Sequence, residues 1–213
     1  WSKETDNTLK IVSLNCAGLK AHFHDIQTDD RLRKAKIMHL VETSLNEAED
    51  ERAFTVDGYE QKFIKNGNGK GIATYYSRDK FIPHEEIKMD KFQIAKFKHR
   101  DLDVINIYRS QSLNSLEVLE HLKQQIETGR TTLITGDFNI CFMENFSNRM
   151  IQGLLSLGFD QLVHEPTHIR GRHIDHAYFL DPSGRVNPIV DRYSPYYSDH
   201  DGICITIPEV IYE

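Results

Sequence analysis

Apolar residues in this chain fall mostly into short runs broken by polar clusters, a pattern that belongs to strands more often than to helices. Leu9 to Leu14 is such a run; it stops at Asn15 and turns at Gly18, which predicts a first strand. His22 to Lys36 is polar and basic, with Leu32 and Ala35 spaced to face inward, and predicts a helix feeding a second strand, Ile37 to Val41, that ends on Glu42. Asn66 to Gly71 reads Asn-Gly-Asn-Gly-Lys-Gly, residues that tolerate positive φ, and predicts a turn before a strand over Ile72 to Tyr76.

Further on, Phe92 to Lys98 and Asp103 to Tyr108 flank a polar cluster and predict an antiparallel hairpin. Ser115 to Thr128 carries Leu116, Leu119, Leu122 and Ile126 at helical spacing, with Gly129 as the expected C-cap. A buried strand is expected over Thr131 to Thr135, a second amphipathic helix over Arg149 to Leu157, and closing strands over Ile174 to Leu180 and Gly202 to Ile207. Strands outnumber helices and several neighbours look hairpin-linked. The expected fold is an α/β four-layer sandwich of two mixed, largely antiparallel sheets flanked by helices.

Length and composition narrow this picture little. At 213 residues the chain suits one domain, expected over residues 9–208 between a polar segment 1–8 and a tail 209–213, with no repeat or linker evident. No run approaches the ~18 apolar residues of a membrane span, so no membrane association is expected, and the polar, acidic opening has no leader character. Cys16, Cys141 and Cys204 are odd in number and lack metal or disulfide spacing, which suits reduced thiols and an intracellular setting. The net charge of −6 does not point toward nucleic acid, although a carboxylate cluster can lower it without removing a local basic rim.

The chemistry stands at the strand ends. Asn15, Glu42, Tyr108, Asp137 with Asn139, Asp175, and Asp199 with His200 each directly follow or close an apolar run. If the strand ends gather at one sheet edge, carboxylates and amides crowd there, and such oxygen donors suit a hard cation, Mg²⁺ or Mn²⁺. Each piece also has an ordinary explanation. Gly136-Asp137-Phe138-Asn139 is turn chemistry, Ser198-Asp199-His200-Asp201 serves as a polar loop or N-cap, Glu42 as a surface carboxylate, and Tyr108 as a strand aromatic.

Order and spacing together favour the site. Ser13-Leu14-Asn15-Cys16-Ala17-Gly18-Leu19, Glu42-Thr43, Ile105-Asn106-Ile107-Tyr108, Thr135-Gly136-Asp137-Phe138-Asn139, Ile174-Asp175-His176 and Ser198-Asp199-His200 resemble, in that order, the motifs of the endonuclease/exonuclease/phosphatase superfamily. Asn68-Gly69-Lys70-Gly71-Ile72-Ala73, Glu165-Pro166-Thr167-His168 with Gly171-Arg172-His173-Ile174-Asp175, and Tyr196-Tyr197-Ser198-Asp199-His200-Asp201 resemble the branch carried by non-LTR retrotransposons. Ala17, Arg109-Ser110-Gln111 and Arg172 depart from the abasic-site endonucleases, which implies weak or no abasic-site specificity and ordinary backbone nicking instead.

The resemblance implies a Mg²⁺-dependent DNA endonuclease acting in the nucleus, monomeric as a domain of a larger polypeptide with a reverse transcriptase or other partner domain. It implies that Glu42 is the principal metal ligand, supported by Asn15 and Asp199, and that Asp137 deprotonates the attacking water while Asn139 holds it or a phosphate oxygen. His200, steadied by Asp175, would contact the phosphate, and Tyr108 would donate to it or to the leaving oxygen.

Arg109, Arg149, Arg170, Arg172, Thr167 and His168 are candidates for substrate contact; for the arginines a solvated surface position is the competing reading. A zinc site at His164, His168, His173 and His176 competes for part of the same region but lacks a completing cysteine or carboxylate. Rival functions are a phosphatase of the same superfamily acting on a lipid or nucleotide phosphate, and a non-enzymatic domain that retains the scaffold. Asp137→Ala and His200→Ala should each cost about 10²–10⁴-fold in nicking while leaving the circular dichroism spectrum unchanged; a variant nicking at the wild-type rate would remove that residue from the chemistry.

Overall fold

The computed structural model describes residues 8–67, 69–112 and 114–209; residues 1–7, Asn68, Leu113 and residues 210–213, and with them most of the polar segment and tail and one residue of the glycine-rich turn, lie outside the described residues. Twelve strands are β1 (Thr8–Asn15), β2 (Ile37–Val41), β3 (Glu60–Ile64), β4 (Ile72–Tyr76), β5 (Ile82–Lys88), β6 (Phe92–His99), β7 (Leu102–Arg109), β8 (Thr131–Asp137), β9 (Asp160–Gln161), β10 (Asp175–Leu180), β11 (Ile189–Tyr193) and β12 (Gly202–Pro208). The helices are α1 (Leu19–Thr28), α2 (Asp30–Arg33), α3 (Ser115–Gln125) and α4 (Arg149–Ser156).

Two six-stranded sheets run β11-β12-β1-β2-β4-β3 and β5-β6-β7-β8-β10-β9. Each has one parallel pair at its centre, β1 with β2 and β7 with β8, and antiparallel neighbours elsewhere. A parallel pair needs a crossover, and helices supply it: α1 and α2 in one sheet, α3 in the other. The two sheets therefore repeat one layout, although no sequence repeat announces it.

Alternation along the central strands makes the layers. Ile11, Ile37 and Val41 from one sheet meet Val104, Leu133 and Ala177 from the other in the middle of the sandwich. Val12, Leu14, Met38 and Leu40 point outward beneath Leu19, Ile26 and Leu32 of the first two helices. Ile105, Ile107 and Ile134 do the same beneath Val118, Leu122, Ile151 and Leu154. Each fully buried aliphatic side chain contributes roughly 1.5–3 kcal/mol, so three such layers fix which way every central strand faces.

The expected sandwich is the one observed, with differences at particular elements. The helix expected over His22 to Lys36 starts earlier and breaks at Asp29, whose extended backbone and side chain cap α2 by accepting from the Arg31 and Leu32 amides. The helix from Ser115 ends at Gln125, and Ile126 rather than Gly129 occupies its C-cap.

Gly136 governs the approach of β8 to β7. Its φ is 139°, and a Cβ there would lie 2.0 Å from the Ile107 carbonyl oxygen and 2.8 Å from Asn106 Oδ1. Gly136→Ala should therefore cost about 3 kcal/mol or more, from overpacking combined with a backbone conformation that alanine disfavours, read as a lowered urea midpoint; an unchanged midpoint would contradict the tight approach. His39, between the sheets, is bonded at Nδ1 to Thr74 Oγ1 (3.0 Å), and burial pushes its pKa down to about 3. Because the folded value lies below the unfolded one, His39 destabilises increasingly as pH falls below about 6.5. Relative to His39→Gln, the wild type should lose about 2 kcal/mol between pH 7 and pH 5 in urea unfolding; parallel pH profiles would show that His39 does not stay neutral in the fold.

Candidate active site

The ends of both parallel pairs gather at one edge of the sandwich, and the chain turns there in a repeated way. Asn15 closes β1, and its Oδ1 accepts from the Ala17 amide (3.1 Å). Asp137 closes β8, and its Oδ1 accepts from the Asn139 amide (2.9 Å). Both are Asx turns, and both pass through the left-handed region at the second residue, Ala17 and Asn139 each at φ 50°. Glu42, directly after β2, is also left-handed at φ 55°. Such positions cost about 1–3 kcal/mol each outside glycine. Backbone hydrogen bonds from Cys16 to Val41, Gly18 to Glu42 and Leu19 to Thr43 hold the turns after β1 and β2 together. Gly71 leaves room beside them, since a Cβ there would stand 2.6 Å from Thr43 Oγ1.

One network joins the two sheets across this edge. Asn15 Nδ2 donates to Asp137 Oδ2 (3.0 Å) and lies 3.3 Å from His200 Nε2. His200 Nδ1 donates to Asp175 Oδ2 (2.8 Å), which also accepts from Thr167 Oγ1 (2.7 Å). Ser198 Oγ donates to the Asn15 carbonyl (2.6 Å) and accepts from the His200 amide (3.1 Å). Asn15 and Asp137 are fully buried, and Asp175, His200 and Tyr108 nearly so.

Burial and crowded negative charge set the electrostatics. Asp137 is held well above the usual carboxylate range by burial and by the charge of Asp175. Glu42 is raised by burial, against a hydrogen bond from Asn15 and the charge of His200. Burial opposes the His200 charge, but the Asp175 hydrogen bond and the charges of Asp175, Asp137 and Asp199 outweigh it and lift the pKa to about 9. The contact between His200 Nε2 and the Asn15 amide nitrogen suits a neutral ring; at 3.3 Å it is a weak contact, and three neighbouring carboxylates decide for the charged form. Tyr108 keeps its proton because burial and the charges of Glu42 and Asp137 disfavour the phenolate.

The donor chemistry fits a hard divalent cation. Glu42 is lifted mainly by burial, with the charges of Asp175 and then Asp199 adding to it, and a divalent cation beside it would offset that cost. The side chains whose ligand atoms lie within 4.8 Å of one another among the described residues are Asp137, Asp175 and His200, and His168, Asp199 and His200. Asn15 enters mainly as a donor to the carboxylates, with its Oδ1 on Ala17.

Other expected contacts have different surroundings. Arg109 is buried, donates from Nη1 to the Phe138 carbonyl (3.0 Å) and faces Asp137 electrostatically. Asn139 Nδ2 donates to the Arg109 carbonyl (2.8 Å). Thr167 is buried against Asp175, so its hydroxyl supports a site carboxylate. His168 Nε2 lies 3.1 Å from Asp199 Oδ2. Arg149 and Arg170 are exposed and Arg172 is half-buried, none with an acidic partner among the described residues. Of the histidines weighed for zinc, His164 is exposed, while His176 is buried, bonds to the Ile140 carbonyl (2.9 Å) and stacks on Phe138. His173 is buried beside Gln161. Ser198 was not singled out from sequence, although its place one residue before Asp199 was the available signal.

Neither a protein-family model nor a curated protein sequence matches the chain. Solved structures do match over nearly its whole length. An AP endonuclease from Archaeoglobus fulgidus superposes with a TM-score of 0.71 at 18% identity, covering 92% of this chain and 98% of that one. The endonuclease domain of TRAS1, a telomere-specific non-LTR retrotransposon, gives 0.69 at 16% identity, covering 95% and 99%. An endonuclease/exonuclease/phosphatase family protein from Bacteroides thetaiotaomicron gives 0.64 at 18% identity, covering 94% and 97%. Two mixed six-stranded sheets, helices on their outer faces and these superpositions establish that the chain has the fold of the endonuclease/exonuclease/phosphatase proteins.

Proposed function

We propose that this chain is a metal-dependent phosphodiester hydrolase that nicks DNA, as the target-site endonuclease domain of a non-LTR retrotransposon-like element. The observation that carries the reading is the single buried network of Asn15, Asp137, His200 and Asp175, with Glu42 and Tyr108 beside it. Support for DNA comes from the likeness to an AP endonuclease and to the TRAS1 retrotransposon endonuclease domain, and from Arg149, Arg170 and Arg172, which face no acidic partner among the described residues.

Hydrolysis needs a base for water, a counter-charge for the phosphate and a proton for the leaving oxygen. Asp137, raised by burial and like charge, takes the proton of the attacking water as the new P–O bond forms. Charged His200 donates to a phosphate oxygen, its ring orientation fixed by Asp175. Tyr108, still protonated, donates to the phosphate or to the leaving oxygen as the old P–O bond breaks. Glu42 and Asp199, with Asn15, would hold the Mg²⁺ or Mn²⁺. When bound, the cation neutralises charge building on the phosphate and the leaving group. One strand end then keeps the phosphate and the other a hydroxyl.

Supercoiled plasmid with Mg²⁺ should convert to the open circle, conversion should stop with chelator, and mapped nicks should show no concentration at abasic sites. A protein that leaves plasmid intact yet releases phosphate from inositol-lipid or nucleotide monoesters would replace the nuclease reading by the phosphatase one.

A further inference from the structure

His168 was expected at the substrate, yet its surroundings tie it to Asp199. Its Nδ1 accepts from the Arg170 amide (3.1 Å), which places the ring proton on Nε2. Nε2 then donates to Asp199 Oδ2 (3.1 Å) and leaves the other carboxylate oxygen uncommitted. The two partners differ sharply in freedom, because the His168 side chain is 11% exposed and the Asp199 side chain 49%. An exposed aspartate rotates at little cost, so a rigid donor is what restricts it. The ring packs edge-on against His200, with centroids 4.8 Å apart.

We propose that His168 is a positioning residue that sets the Asp199 carboxylate for the divalent cation. This rests on the metal-dependent reading above and deepens it. The backbone keeps the two segments together without the imidazole: Ile169 donates to the Asp199 carbonyl (3.0 Å), Asp201 to the Thr167 carbonyl (2.6 Å), and His168 pairs with His200 as an isolated antiparallel bridge. Removing the ring's donor therefore frees Asp199 while leaving the scaffold in place. Thr167 and His168 are adjacent, and between them they hold the two carboxylates on either side of His200, Asp175 and Asp199.

The test is Mn²⁺ binding to the full chain, followed by the electron paramagnetic resonance of free Mn²⁺, with thermal unfolding of the metal-free protein in parallel. His168→Phe keeps a ring against His200 but has no donor, and it should weaken Mn²⁺ affinity about 10-fold or more without shifting metal-free unfolding. His168→Gln places an amide N–H near the Nε2 position and should return affinity close to wild type. Wild-type affinity in His168→Phe, or a loss in His168→Gln equal to that in His168→Phe, overturns the assignment. Loss of binding in Asp199→Asn beside unchanged binding in His168→Phe would remove the role of His168 while leaving the metal reading intact. A wild-type protein that binds no Mn²⁺ would remove both.

Discussion

The hydrogen bond from Asn15 to Asp137 joins the first sheet to the second at the edge where the candidate site residues gather. Both residues are also anchors of Asx turns, so each is fixed to its own strand end before it meets the other. With no water competing, a buried amide donating to a buried carboxylate is a strong, directional contact. Everything else at the site is placed by reference to it: His200 stands against the Asn15 amide, Asp175 against His200, and Thr167 against Asp175.

That placement works against local preferences. Ala17, Glu42 and Asn139 are held in left-handed backbone, and Asp137 and Glu42 are kept in surroundings that disfavour their charge. The three apolar layers stabilise the sandwich enough to hold these conformations, and Gly136 and Gly71 remove the collisions that would otherwise push the strand ends apart. A carboxylate that resists ionisation is well suited to accepting a proton.

Legibility in the sequence followed position in the sheets. The strands expected from periodicity are the interior ones, β1, β2, β4, β6, β7, β8, β10 and β12, whose faces are both covered. The strands without a clear signal, β3, β5, β9 and β11, are the sheet edges. An edge has solvent along one side and tolerates charge: Pro83-His84-Glu85-Glu86 in β5 and Asp191-Arg192 in β11 hide the alternation. At the site, residue identity and order marked Asn15, Glu42, Tyr108, Asp137, Asp175 and His200, because polar residues closing buried strands are conspicuous. Direction was not legible. That Arg109 turns inward to Phe138 and Thr167 inward to Asp175 depends on which neighbour the second sheet supplies, and no spacing within one strand encodes that.

Thr8 and Pro208 are paired neighbours, at the opposite end of β1 from Asn15. The β1–β12 ladder runs from this pair to Ser13 and Ile203, so its whole length lies between them and the Asn15 turn. Loss of that outermost pair would leave the pairs from Leu9 with Ile207 to Ser13 with Ile203 in place, so a disturbance at this end of the ladder need not reach Asn15.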